Sequence, residues 1–225
     1  MGHALPPTVM LSALAVLGLA TASPLLAAGG IDIRILDRDG LPVPEVVVTA
    51  RRIDAEPEAA TGGAATRMNQ HALAFEPHIL IVQVGTAVEF PNADDVRHHV
   101  YSFSPARQFN FSIESGAIHE SLRFNVPGIV TLGCNIHDDM LAYIVVVDTP
   151  HFAKTGPDGT AELTGLDAGR YELAIWSSRI AQKHQPEPIG ITVTDGAVAT
   201  SEHRFEAKLH PPHRHSETSL QWADY

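Results

Sequence analysis

The chain has 225 residues and a formal charge of −11, from 15 Lys and Arg against 26 Asp and Glu. That balance argues against nucleic acid as a partner, because phosphate binding draws on clustered cationic side chains. An apolar fraction of 44% with 18% charged residues excludes global disorder and provides for one or two buried cores, while the one cysteine, Cys134, excludes an internal disulfide. Residues 1–28 contain no Asp, Glu, Lys or Arg, and Val9 to Ala20 is an apolar block of signal-peptide length, followed by small residues at Ala20-Thr21-Ala22 and Ala27-Ala28. Residues 1–28 are read as an export signal. An uncleaved anchor is the alternative, since Met10 to Ala28 approaches the roughly 20 apolar residues of a spanning helix. No membrane span is expected after removal of the leader, and the expected location is the periplasm or another exported compartment.

Seventeen Gly and sixteen Pro favour short elements joined by turns, and an all-β fold is expected. Ile31 to Arg52 carries two β-branched runs around the turn signal Asp39-Gly40-Leu41-Pro42. From about Ile53 to Thr66 the chain is poor in large apolar side chains and reads as a linker. Six strands are predicted next, at Ile79 to Val84, Ala87 to Phe90, His98 to Phe103, Ser121 to Val126, Ile129 to Cys134 and Leu141 to Val147. The last third predicts strands at Thr160 to Leu163, Tyr171 to Trp176, Ile189 to Thr194 and His203 to Ala207, then a flexible His/Pro-rich tail over 210–225.

Chemistry concentrates in Gly133-Cys134-Asn135-Ile136-His137-Asp138-Asp139-Met140. A thiol, an imidazole and a thioether at i, i+3 and i+6 allow one tight loop to aim all three at a point, and that donor set suits copper. Zinc takes four strong ligands in structural sites, so the methionine argues against it. A second imidazole must come from elsewhere, and the adjacent pair His98 and His99 is the candidate. Strand alternation sends these neighbours to opposite faces, so one of the two reaches the metal.

Phe90-x-Asn92 followed by His98-His99-Val100, together with the Cys134-x-x-His137-x-x-Met140 loop, resembles the plastocyanin/amicyanin branch of the cupredoxin family, the type 1 blue copper proteins. The resemblance covers about a third of the chain. It implies a Greek-key β-sandwich over 67–148, one type 1 copper ion, and His98, Cys134, His137 and Met140 as ligands. Where relatives carry Asn after the first ligand histidine, this chain has His99, so His99 and Asn92 stand as supporting groups or alternative ligands. The flanks are similar to the carboxypeptidase-regulatory-like, transthyretin-type sandwich, through RILDRDGLPVPEVVVTA and PDGTAELTGLDAGRYELAIW. A second small sandwich is therefore expected, split into 29–60 and 149–209.

The family resemblance implies an electron carrier rather than an enzyme. No serine triad, phosphate-binding glycine loop or haem-attachment motif occurs in the sequence. Residues 68–148 hold three Arg and no Lys against nine acids, and Asp94, Asp95, Asp138 and Asp139 flank the ligands as a candidate partner surface. Such a face would attract a basic redox protein such as a cytochrome c. The alternative function is copper storage, sensing or delivery, with the thirteen histidines including a tail cluster at His210, His213 and His215.

Overall fold

The computed structural model describes Met1 and residues 28–56, 62–137 and 139–213. The expected export signal, apart from its two end residues, lies outside the described residues, as do Asp138 and the tail from 214 onward. No helix among the described residues is long and apolar enough to cross a membrane.

The described chain is all-β, with one short 3-10 turn at Gln182–His184. Two strands come first, β1 (Gly29–Leu36) and β2 (Val47–Arg52). Ten follow in the middle: β3 (Thr66–Arg67), β4 (Asn69–His71), β5 (Ala74–Glu76), β6 (Ile79–Gln83), β7 (Thr86–Pro91), β8 (His98–Ser104), β9 (Arg107–Ile113), β10 (Ile118–Phe124), β11 (Gly128–Cys134) and β12 (Leu141–Val147). The last five are β13 (His151–Lys154), β14 (Thr160–Leu166), β15 (Gly169–Trp176), β16 (Ile189–Val193) and β17 (Val198–Arg204).

Strands from both ends of the chain form two sheets, ordered β14-β1-β17 and β13-β2-β15-β16. Alternation turns Ile31, Ile33 and Ile35 of β1 inward and Asp32 and Arg34 outward. The inward residues share one buried cluster with Val48, Ala50, Leu163, Tyr171, Leu173 and Ile175, so the two flanking segments build a common core. The middle segment has its own, made by the five-stranded sheet β6-β12-β11-β8-β9, the three-stranded sheet β10-β7-β3 and the β4-β5 hairpin. Strand β12 serves both neighbours. Ala142, Ile144 and Val146 enter the middle core, whereas Val145 and Val147 join Val47 and Ile79 in a third cluster against Phe152 and Trp176. Covered on both faces, β12 reads as the near-continuous apolar run Leu141 to Val147.

Several boundaries differ from the sequence reading. Strand β9 is unpredicted because only Phe109, Phe111 and Ile113 mark its half-buried face, yet it pairs with β8 along its whole length. Strand β10 starts three residues ahead of the predicted Ser121, where His119 pairs with Phe90. The final strand is not His203 to Ala207 but Val198–Arg204, a polar strand held at the sheet edge by parallel pairing with β1. The described part of the tail, 210–213, makes contacts with the rest of the chain. His210 exchanges two hydrogen bonds with Arg179, at 2.8 and 2.7 Å, and His213 stacks on His78 while its Nε2 donates to the Asp139 carbonyl at 2.9 Å.

Candidate metal centre

Cys134 ends β11 and His98 begins the neighbouring strand β8, with Cys134 opposite Val100 in antiparallel register. Alternation along β8 buries His98, Val100 and Ser102, and His98 is 0% exposed. His99 points to the opposite side of the strand, where its buried Nδ1 makes no hydrogen bond. The Tyr101 ring of β8 lies over Gly133, where a Cβ would fall 2.7 Å from it.

Beyond Cys134 the chain turns back on itself. The Asn135 amide donates to the His99 carbonyl at 3.4 Å and the Met140 amide to the His137 carbonyl at 3.2 Å, which returns the loop to β12. This brings His98 Nδ1 to 3.9 Å and His137 Nδ1 to 3.8 Å from Cys134 Sγ. One ligand atom from each of the three residues lies within 4.8 Å of the others, a group able to hold a metal ion. Met140, 2% exposed, belongs to the same buried cluster as Cys134.

The donor set can be tested against a first-row metal. Bonds of about 2.0 Å to nitrogen and about 2.3 Å to sulfur, opened to about 120°, place N and S about 3.7 Å apart. The observed sulfur–nitrogen separations of 3.8 and 3.9 Å meet that requirement with little movement. A thiolate with two imidazoles and a nearby thioether fits copper in both oxidation states.

The local electrostatics already favour a thiolate. Burial pushes the Cys134 thiol up, but the His98 ring, the backbone amides of His99 and Ile136 and the His137 ring outweigh it and bring the thiol down to about 6. Burial likewise pushes the His98 imidazolium down, and Cys134 and Asp94 outweigh it, so it is held above its ordinary value. The two groups act on stability with opposite sign. The Cys134 contribution is complete above the thiol's unfolded-state pKa and is lost as pH falls through about 6. The His98 contribution is complete below about 6.5 and is lost as pH rises through its raised value. Thiolate and imidazolium therefore coexist between those limits. The ultraviolet thiolate absorbance of the metal-free protein is expected to titrate with a midpoint of about 6; a midpoint near the ordinary thiol value of about 8.5 would contradict this picture.

The remaining predicted residues divide. Asn92 is 2% exposed and its amide is committed to backbone: Nδ2 donates to Val96 and Ile113 carbonyls at 2.8 and 3.2 Å, and Oδ1 accepts from the Asp94 amide at 3.0 Å. Instead of ligating, it fixes the loop that leads into His98. Asp94 corrects the surface reading. Its side chain is 10% exposed and turned inward, with Oδ2 at 2.8 Å from His98 Nε2. Asp95 and Asp139 are exposed. No spacing rule announces the Asp94–His98 contact, because it depends on how the 92–98 loop closes.

No family model and no curated protein matches the chain. Among solved structures, it is similar to an amicyanin variant in the reduced state, at 23% identity over 44% of this chain and 99% of that one, with a TM-score of 0.34. It is also similar to the copper-containing nitrite reductase of Thermus scotoductus SA-01, at 24% identity over 44% of this chain, with a TM-score of 0.35; the match spans 25% of that enzyme. A purple cupredoxin from Nitrosopumilus maritimus is 22% identical over 37% of this chain and 99% of its own, with a TM-score of 0.32.

Proposed function

We propose that this protein is an exported type 1 copper protein of the cupredoxin kind that carries single electrons between redox partners. The observation that carries the reading is the convergence of His98 Nδ1, Cys134 Sγ and His137 Nδ1 at the end of a two-sheet core. His98, Cys134, His137 and Met140 would hold the ion. When bound, copper supplies a one-electron couple.

The chain's own part is to hold those donors still. His98 is locked in a strand, Cys134 ends the next one, and the 135–140 loop is closed by its own amides. Donors fixed before metal arrives require little rearrangement between oxidation states, which favours rapid exchange of an electron without breaking a substrate bond. Burial of His98, Cys134 and Met140 keeps water from that side of the site, whereas half-buried His137 marks the side open to a partner. Exposed Asp95 and Asp139 would draw a basic partner such as a cytochrome c. The flanking sheets serve as a spacer or a second docking body, and 1–28 as the export signal.

The test is an optical and electron paramagnetic resonance spectrum of the copper-loaded mature chain. An intense thiolate-to-copper(II) band in the visible, with the narrow hyperfine splitting of a covalent Cu–S bond, is expected. Copper(II) bound without that band would overturn the reading.

A further inference from the structure

Asp94 sits behind His98, on the side of the imidazole away from Cys134. Its Oδ2 lies 2.8 Å from His98 Nε2, and both carboxylate oxygens are otherwise engaged by backbone: Oδ1 accepts from the Ala72 amide at 2.6 Å, and Oδ2 from the Leu73 amide at 3.1 Å. The main chain of Asp94 is tied down as well, its amide to Asn92 Oδ1 at 3.0 Å and its carbonyl to the Ser115 hydroxyl at 2.8 Å.

The residues that supply those two amides are unusual. Ala72 and Leu73 form the turn between β4 and β5, and both have left-handed backbone, with φ of 52° and 57°. Consecutive side-chain-bearing residues adopt that conformation only where surrounding contacts over-determine it. Here the turn delivers two neighbouring N–H groups to one carboxylate. The hairpin thus orients Asp94, and Asp94 orients His98.

We propose that Asp94 is a positioning residue of the metal centre: fixed by the strained 72–73 turn, it holds the hydrogen of His98 on Nε2, keeps the Nδ1 lone pair aimed at the ion, and favours the oxidised state. The inference rests on the copper reading above and adds to it the group that sets the centre's preference between oxidation states. A carboxylate can only accept from the ring, so Nε2 carries the hydrogen and Nδ1 is left as the donor. Its negative charge, transmitted through the imidazole, raises ligand basicity and stabilises the more highly charged ion. Exposed Asp95 is screened by solvent, unlike the inward-turned Asp94.

The experiment compares wild type with Asp94→Asn, which keeps the shape and removes the charge. Copper(II) and copper(I) affinities are measured by competition with chelators, and the reduction potential by spectroelectrochemistry. Copper(II) affinity is expected to fall about 10–100-fold in Asp94→Asn, with a smaller loss for copper(I). Each tenfold differential raises the potential by about 59 mV for a one-electron couple. An unchanged potential together with copper(II) affinity within about twofold of wild type would overturn the assignment. A wild-type protein lacking the thiolate band would instead defeat the copper reading itself. Should Asp94→Asn fold poorly, nitrogen-15 spectra of the metal-free wild type, taken at a pH above the raised His98 value so that the ring carries a single hydrogen, decide: His98 as the Nε2–H tautomer supports the proposal, and the Nδ1–H tautomer refutes it.

Discussion

Cys134→Ser is expected to abolish the visible thiolate-to-copper(II) absorption and to lower copper affinity by more than about 100-fold, beyond the range seen when groups behind the ligands are lost. Cys134 is the one sulfur in the site able to ionise near neutral pH, with its thiol brought down to about 6 by hydrogen bonds that converge on Sγ. A serine hydroxyl in the same place stays protonated and is a poor donor to copper(I). It also leaves the His99 and Ile136 amides, which now face the sulfur, without their acceptor charge. Absorption spectra and chelator competition read both effects. Met140→Leu provides the contrast: volume is conserved at a buried position, so the fold and the coloured centre should persist while the potential changes. A coloured Cys134→Ser protein would mean that sulfur from residue 134 is not a ligand.

His98→Ala is expected to cost the site a comparable share of its copper affinity, and His99→Ala to leave it within about threefold, because the two rings stand on opposite faces of β8. The difference extends to repair. His98 is 0% exposed and packed between Cys134 and Asp94, so free imidazole cannot reach the vacancy left by His98→Ala. His137 is half-buried on a loop, and His137→Gly opens its position to the solvent side. Added imidazole should therefore restore the coloured centre in His137→Gly and not in His98→Ala. Titration of each variant with copper(II), with and without imidazole, measures this; equal rescue of both would show that the burial asymmetry between the two histidines is not the one described.

The features legible in the sequence were those set by local pattern. Leu141 to Val147 appears as a strand at the predicted residues because the run is short, apolar and dominated by the β-branched Ile144 to Val147. The Cys134, His137 and Met140 spacing signals a loop site because three donor types recur on one short turn, and the β8 period separates His98 from His99. What escaped depends on long-range closure. Asp94 looked like one more surface acid, and only the return of the 72–73 turn onto the 92–98 loop gives it two amide donors and an imidazole. Strand β17 lacks an apolar period, since its order comes from the ladder with β1 rather than from a buried face. His213 could not be placed from composition, because its partners, His78 and Asp139, are 135 and 74 positions away.

The pairing of Gly30 with Val198 and of Arg51 with Glu172 has a consequence for the birth of the molecule. Strands β1 and β2 leave the ribosome, or emerge from a translocation pore, long before β14, β15 and β17 exist to pair with them. The middle sheets, contiguous in sequence, can collapse first, while the two leading strands wait as unpaired edges exposed to aggregation or chaperone capture. Closing a ladder across so many residues is entropically slow. The three clustered donors, His98, Cys134 and His137, all lie in that contiguous middle segment, so the candidate site can form before the outer core is complete.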